Sequence, residues 1–439
     1  MNFKKIFSLF IALTPALTLF SQGGSNSVYS QYGLGMLYPH QFGRSFAMGN
    51  TGIAISDPLH LNLANPASLS DLKFVTVDFN AVSNTIFSKD ASGANGMVND
   101  GSLGSVAIGV PLLKNWGAML GMTPYSSMGY QYRIQGSDNF GNDYTDQYKG
   151  SGGLNNLFFA TGYRYKNLSI GAKSNYIFGV VSHEKLRAFS SKNNFNVFEE
   201  KQYGIYDFAF DFSAQYKLNL NDNLQFVVGA IYGLQQNLKT KYSVLSKITS
   251  VTELNDNLKE TVVPNAYAWQ VENTIDNPTL TTLTLPVYYG GGLSAKYKDR
   301  LVITADYKQQ NWRAFQLTNS SNYALSRMIA LGAEYIPNKN SVGMENYHKR
   351  IAYRVGLNYN QTPIYINSNN ISEYSASIGA SFPLKKYKFE RELFGTYLNV
   401  AVQAGRRGTT QNGLVQEDFI KLNVGFTFND KWFIKRKFD

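Results

Sequence analysis

From Lys73 onward, apolar residues fall on every second position, and this pattern constrains the fold more than any other feature of the chain. Phe208, Phe210, Phe212, Ala214 and Tyr216 share one face of a segment whose other face carries Asp207, Ala209, Asp211, Ser213 and Gln215. The same alternation runs through 168–178, 351–359 and 420–428. Period two is the signature of strands with two different surroundings. After the N-terminus no apolar run approaches the roughly 20 residues a membrane helix needs, yet Tyr (30) and Phe (29) are abundant and only 16 % of residues are charged. A soluble sandwich also alternates. Two features favour a membrane barrel. The second face is rich in Gly, Ala and charges, as a crowded lumen would be, and tyrosines recur toward strand ends, where interfacial girdles form. The expected fold class is all-β: a monomeric transmembrane antiparallel β-barrel of about fourteen strands, the even number expected of a single-chain bacterial barrel.

The chain divides into four stretches. Residues 1–22 read as a signal peptide, with Lys4 and Lys5 ahead of an apolar run and cleavage near Ser21 or Gln22. Residues 23–72 form an N-terminal segment, 73–428 the barrel, and 429–439 a basic periplasmic tail. Short turns such as 114–116, 166–167, 219–222 and 298–300 alternate with long loops at 85–102, 135–153, 185–202 and 241–280. Short turns mark the periplasmic end and long loops the extracellular end. This places the protein in the outer membrane of a Gram-negative bacterium, among its lipids, with both termini periplasmic. Cysteine is absent, which excludes disulfides and thiolate chemistry. The formal charge of +11 is scattered without a basic stripe, so no nucleic-acid partner is expected. His40, His60, His183 and His348 fall in no catalytic or metal motif. No enzyme activity, cofactor or metal site is predicted.

The stretch Phe46–Ser70, "FAMGNTGIAISDPLHLNLANPASLS", breaks the strand pattern. Gly49 and Gly52 permit close backbone packing and positive φ, and Pro58 and Pro66 oppose strand addition. Such chemistry suits a segment that fills a lumen without joining its wall. Met48, Gly49, Gly52, Asp57, Asn65, Pro66 and Ala67 here resemble the hatch motif of the FadL family of outer-membrane transporters, A-M-G-x-A-G-x-A, then an acid, then N-P-A. Thr51 and Pro58 depart from it. The resemblance implies a fourteen-stranded barrel, an N-terminal hatch and a hydrophobic small-molecule ligand. It also implies a lateral opening where the third strand kinks, here at Pro124, Tyr125 and Gly129. Pro124 cannot donate to a ladder, so the residues themselves favour a break there. The closing residues "FTFNDKWFIKRKFD" resemble barrels of the Bacteroidota branch, which includes PorV-type accessories of type IX secretion, and that implies a secretion-system protein partner instead. Both readings, passive transport and secretion accessory, stay open, because one fold serves many functions. On the alternation, Arg164, Lys173, Asp207, Asp211, Asp306, Lys308, Arg354 and Lys421 face the lumen, and their mixed signs suggest a lumen crossed by ion pairs and filled.

Overall fold

The computed structural model describes residues 27–38, 42–191, 194–254, 279–313, 315, 323–341, 343–389 and 392–431. The expected signal peptide, most of the tail, His40 and most of the 241–280 loop lie outside these residues. So do the ends of the chain on which the periplasmic expectation rests.

Eighteen strand segments form one sheet. Apart from β1 (Met36–Leu37), they make fourteen antiparallel barrel strands. The first two are β2 (Val75–Lys89) and β3 (Asn95–Leu113). The third is broken into β4 (Trp116–Ser127) and β5 (Tyr130–Ser137). Next come β6 (Asp143–Tyr165), β7 (Leu168–Phe189) and β8 (Asn196–Asn221). The seventh and eighth are each broken in two, as β9 (Leu224–Gly233) with β10 (Gln236–Thr249), and β11 (Thr279–Leu285) with β12 (Tyr288–Tyr297). The last six are β13 (Leu301–Asn311), β14 (Leu325–Tyr335), β15 (Ala352–Ile366), β16 (Asn369–Phe389), β17 (Glu392–Arg407) and β18 (Gln416–Asp430). The ladder closes where β18 pairs with β2, from Gln416 opposite Lys89 to Asp430 opposite Val75. Among the described residues no helix is long and apolar enough to cross a membrane.

Face assignment follows the alternation. Phe208, Phe210 and Phe212 are exposed on the outside, while Ala209, Asp211, Ser213 and Gln215 are buried inside. Around the exterior, Leu293, Ile303, Leu331, Val355 and Ile378 form an aliphatic band. Near the short turns it is bordered by exposed Trp116, Tyr165, Tyr216, Tyr297 and Tyr353, and toward the loops by Tyr206, Tyr289, Tyr307 and Tyr374. Two aromatic girdles about an apolar band are what a bilayer selects.

The strands run further than the alternation predicts. Three of the four expected long loops are mostly wall: β2 and β3 meet across residues 90–94, β5 and β6 across 138–142, and β7 and β8 across 190–195. Past the lipid, both faces meet water or polar groups, so the apolar half of the pattern disappears while backbone pairing continues.

A charge placed on the lipid face has no route to water at mid-bilayer. Val424→Arg is therefore expected to destabilise the barrel by about 2–4 kcal/mol, read as a lower urea midpoint in detergent. The inward face is equally intolerant of bulk. A side chain on Gly356 overlaps the Gly49 amide, so Gly356→Val is expected to cost about 1–3 kcal/mol.

Candidate functional site: the filled lumen and the interval beside the third strand

Residues 42–72 lie inside the barrel, and most are buried. They form a short helix (Gly43–Ala47), turns, and a 3-10 turn (Pro66–Asp71) capped by Asn65, whose Oδ1 accepts the Ala67 N–H. Pro66 opens that turn, where its missing N–H costs nothing. Gly49 has φ +68°, as its residue type allows. Gly52 does not; it is needed because a side chain there meets Ala64 and Asn62.

A segment without regular structure must still satisfy its backbone, and inward strand side chains do this. Asp306 Oδ2 accepts the N–H groups of Gly52 and Ile53 at 2.6 and 2.8 Å. Gln215 Nε2 donates to the Ile53 and Ile55 carbonyls at 3.0 and 3.1 Å. Ser377 Oγ accepts the Gly49 N–H at 2.9 Å, and Asn358 Nδ2 donates to the Gly49 carbonyl at 3.0 Å. Asn65 Nδ2 reaches the Ile53 and Ala214 carbonyls. Inward glycines let this backbone approach the wall: side chains on Gly162, Gly171 and Gly229 would overlap Pro66, Ala67 and Ile53 respectively.

Ion pairs pin the filling. Arg44 is buried between Asp57 (3.0 Å) and Glu334 (2.6 Å), and Glu334 also takes Arg354 Nε at 2.7 Å. Burial alone would raise the Asp57 carboxyl, but Arg44 and then His60 hold it well below the usual carboxylate range. Asp71 pairs with Arg164 and Lys217 near the short turns. Lys173 pairs with Asp211 at 2.9 Å. Lys308 lies 4.1 Å from the Tyr288 ring centroid and Lys421 4.5 Å from that of Phe419.

Of the eight expected lumen charges, seven therefore sit on the inner side. Asp207 is the correction. The wall breaks between β9 and β10, and there its solvent-side carboxylate accepts the Lys239 N–H at 2.9 Å and the Phe208 N–H at 2.8 Å. Arg44, Asp71, Glu334, Glu373, Arg407 and Glu417 were not singled out from the sequence. Their only signal was a charge at an inward position or inside the irregular segment.

Above the filling, toward the long loops, lies a cavity of about 260 Å³. Leu34, Tyr125, Tyr288, Trp312, Phe315 and Tyr323 are among its lining residues. Lys308 and Lys421 also border it. Tyr125 sits at the irregular part of the third strand. β3 and β4 pair only from Leu113 opposite Trp116 up to Val106 opposite Met122. Beyond that height β3 bulges at Gly104 and pairs with β2 alone, while β4 is irregular between Pro124 and Ser126 and pairs with β6. The two strands thus part, and among the described residues no ladder joins β3 to β4 or β5 above Val106.

The family model that matches this chain, over residues 2–439, is BamG. The chain belongs to the BamG family. No curated protein matches. In fold, this BamG-family chain is similar to the toluene transporter TbuX of Ralstonia pickettii, with TM-score 0.56, 14 % identity, and coverage of 89 % of this chain and 98 % of that one. It is also similar to the P. putida toluene transporter TodX, with TM-score 0.55, 15 % identity, and coverage of 90 % and 99 %. A Pseudomonas aeruginosa FadL homologue gives TM-score 0.52, 14 % identity, and coverage of 90 % and 99 %. The FadL-type likeness expected from the motif is thus one of fold, to barrels described as transporters, while the family carries a different name.

Removing the shared anion of the buried network leaves Arg44 and Arg354 uncompensated. Glu334→Gln is expected to destabilise the protein by about 3–5 kcal/mol, measured by urea unfolding. For Asp57 the folded carboxyl titrates below the unfolded value of about 3.9. Its contribution is therefore complete above that pH and is lost as pH falls through the folded value. The stability difference between wild type and Asp57→Asn should narrow as pH falls below about 4.

Proposed function

We propose that this barrel passes a small hydrophobic compound across the outer membrane without energy coupling. The compound enters from the loop end, rests in the cavity beside Leu34 and Trp312, and leaves sideways between β3 and β4 into the bilayer. The observation that carries this reading is the cavity's place, closed below by the packed N-terminal segment and bordered by Tyr125 where β3 and β4 part. Pro124 and Gly129 frame that bend, as the lateral-opening reading requires. Residues 42–72 then act as a hatch that blocks a straight axial path.

Size limits the ligand. An apolar cavity of about 150 Å³ accepts benzene, so 260 Å³ suits a single-ring or short-chain compound rather than a long chain. The toluene transporters that share the fold are consistent with a ligand of this size.

One observation favours the second reading, a barrel that docks a secretion-system protein. Beside the exposed Ile420 and Leu422 of β18, the outward positions of β2 and β3 are Ser83, Thr85, Asn99 and Gly101. Lipid selects apolar residues there, whereas a protein neighbour tolerates small and polar ones.

Filling the cavity tests the transport reading. Leu34→Trp should lower uptake of radiolabelled toluene by intact cells about tenfold while heat-modifiable migration, the mark of a closed barrel, stays normal. Full uptake in the folded variant would contradict passage through this cavity. Mild-detergent purification that yields a stoichiometric protein partner, lost in Ser83→Leu/Asn99→Leu, would support the second reading instead.

A further inference from the structure

The two ends of the barrel carry their charges differently. At the loop end several surface cations are held by acids: Arg406 lies 2.6 Å from Asp418, Arg187 2.7 Å from Asp146, and Lys201 2.6 Å from Glu199. At the short-turn end the balance tips toward cations. Lys114, Lys166, Lys298 and Arg300 are exposed there, and among the described residues no carboxylate pairs with any of them. The acid nearest in sequence to Lys298 and Arg300, Asp299, is already shared by Lys296 at 2.5 Å and Lys339 at 3.3 Å.

Lys114 and Lys166 belong to adjacent turns. β4 and β6 pair from Trp116 opposite Tyr163. Arg164 joins the turns, its N–H donating to the Asn115 carbonyl at 2.9 Å and its Nη2 to Asn115 Oδ1 at 2.6 Å. Trp116, Tyr163 and Tyr165 stand beside these turns, exposed on the outer face. The Trp116 indole is fixed by its Nε1–H, which donates to Thr161 Oγ1 at 2.9 Å. Lys166 Nζ lies 5.4 Å from the Tyr165 ring centroid, and Lys298 Nζ 5.2 Å from that of Tyr297. The cations therefore rest on the aromatic girdle itself. Such rings lie at the headgroup level, and a lysine beside them covers apolar surface with its stem while its charge reaches the polar layer. Neither turn needs a cation. Lys166 has φ +52° and Lys298 φ +50°, a backbone that Gly or Asn adopts more readily.

We propose that this rim binds anionic phospholipid of the leaflet that meets the short turns, with Lys114 and Lys166 holding a headgroup phosphate and Trp116 packing on the chain below it. Lipid suits the rim better than a protein partner. The cations recur around the barrel, at the turns that join β3 to β4, β6 to β7 and β12 to β13. A lipid annulus meets every side of a barrel, whereas a docked protein covers one. The proposal does not depend on the transport reading.

Two measurements on the full-length chain test it. The chain has four tryptophans, Trp116, Trp269, Trp312 and Trp432, and changing the last three to Phe leaves Trp116 as the reporter. In phosphatidylcholine vesicles, a minor fraction of chain-brominated phosphatidylglycerol should quench Trp116 with about fivefold higher relative affinity than the same fraction of chain-brominated phosphatidylcholine, the effect of about one lysine near an anionic surface. Lys114→Gln with Lys166→Gln should abolish this preference, and high salt should weaken it. Lys298→Gln with Arg300→Gln, elsewhere on the rim, should leave it unchanged. Heat-modifiable migration confirms that each variant is folded. Native mass spectrometry needs no tryptophan changes: phosphatidylglycerol adducts on the full-length chain should exceed phosphatidylcholine adducts and fall with the Lys114–Lys166 pair. Equal quenching by the two lipids, or a preference that survives loss of both lysines in a folded barrel, would overturn the proposal. Equal quenching together with lysine-dependent co-purification of an acidic protein would overturn it in favour of a protein partner.

Discussion

A closed ladder of fourteen strands encloses more space than its own side chains fill, since about eight strands already suffice to hold a packed interior. Everything distinctive about this protein is a response to that surplus. The wall supplies glycines where backbone must approach, carboxylates and amides where loose N–H and C=O groups must be met, and cations where acids are buried. Asp306 shows the principle at one residue: from the middle of a wall strand it captures two successive amides of a segment that has no ladder of its own.

The same logic explains why the buried charges come in networks. A lone buried ion is costly, and removing one partner costs more than the pair contributes. Arg44 therefore lies between two acids, and Glu334 between two arginines. These contacts tie the segment to the wall on the β14–β15 side, as Asp71 does near the short turns and Glu417 at the loop end. The lumen is thus pinned at three heights.

Much of the wall was legible in the sequence because lipid on one side and packed polar groups on the other impose period two, as at Phe208–Tyr216. The strand count and faces followed from it. Strand ends beyond the bilayer were hidden, because at 90–96 and 138–153 no lipid demands apolar residues on the outer face. The irregular segment announced itself through Gly49, Asn65 and Pro66, but its partners did not. Glu334 and Asp71 are joined to Arg44 and Arg164 only by the fold, across long sequence separations that no local pattern records. Asp207 shared the parity of Asp211, yet the break between β9 and β10 redirected it, and alternation carries no sign of such a break. The contact between Ser27 and Glu417 was equally silent, because the two lie at opposite ends of the chain.

The account stands on the claim that the N-terminal segment, not the wall's own side chains, blocks the axial path. Conductance in planar bilayers tests it most directly, comparing the full-length chain with one lacking Ser45–Ser70. The ladder needs none of those residues, so the shortened barrel should insert and show ion conductance well above the near-silent full-length protein. A shortened barrel that inserts and remains as silent as the full chain would contradict the account.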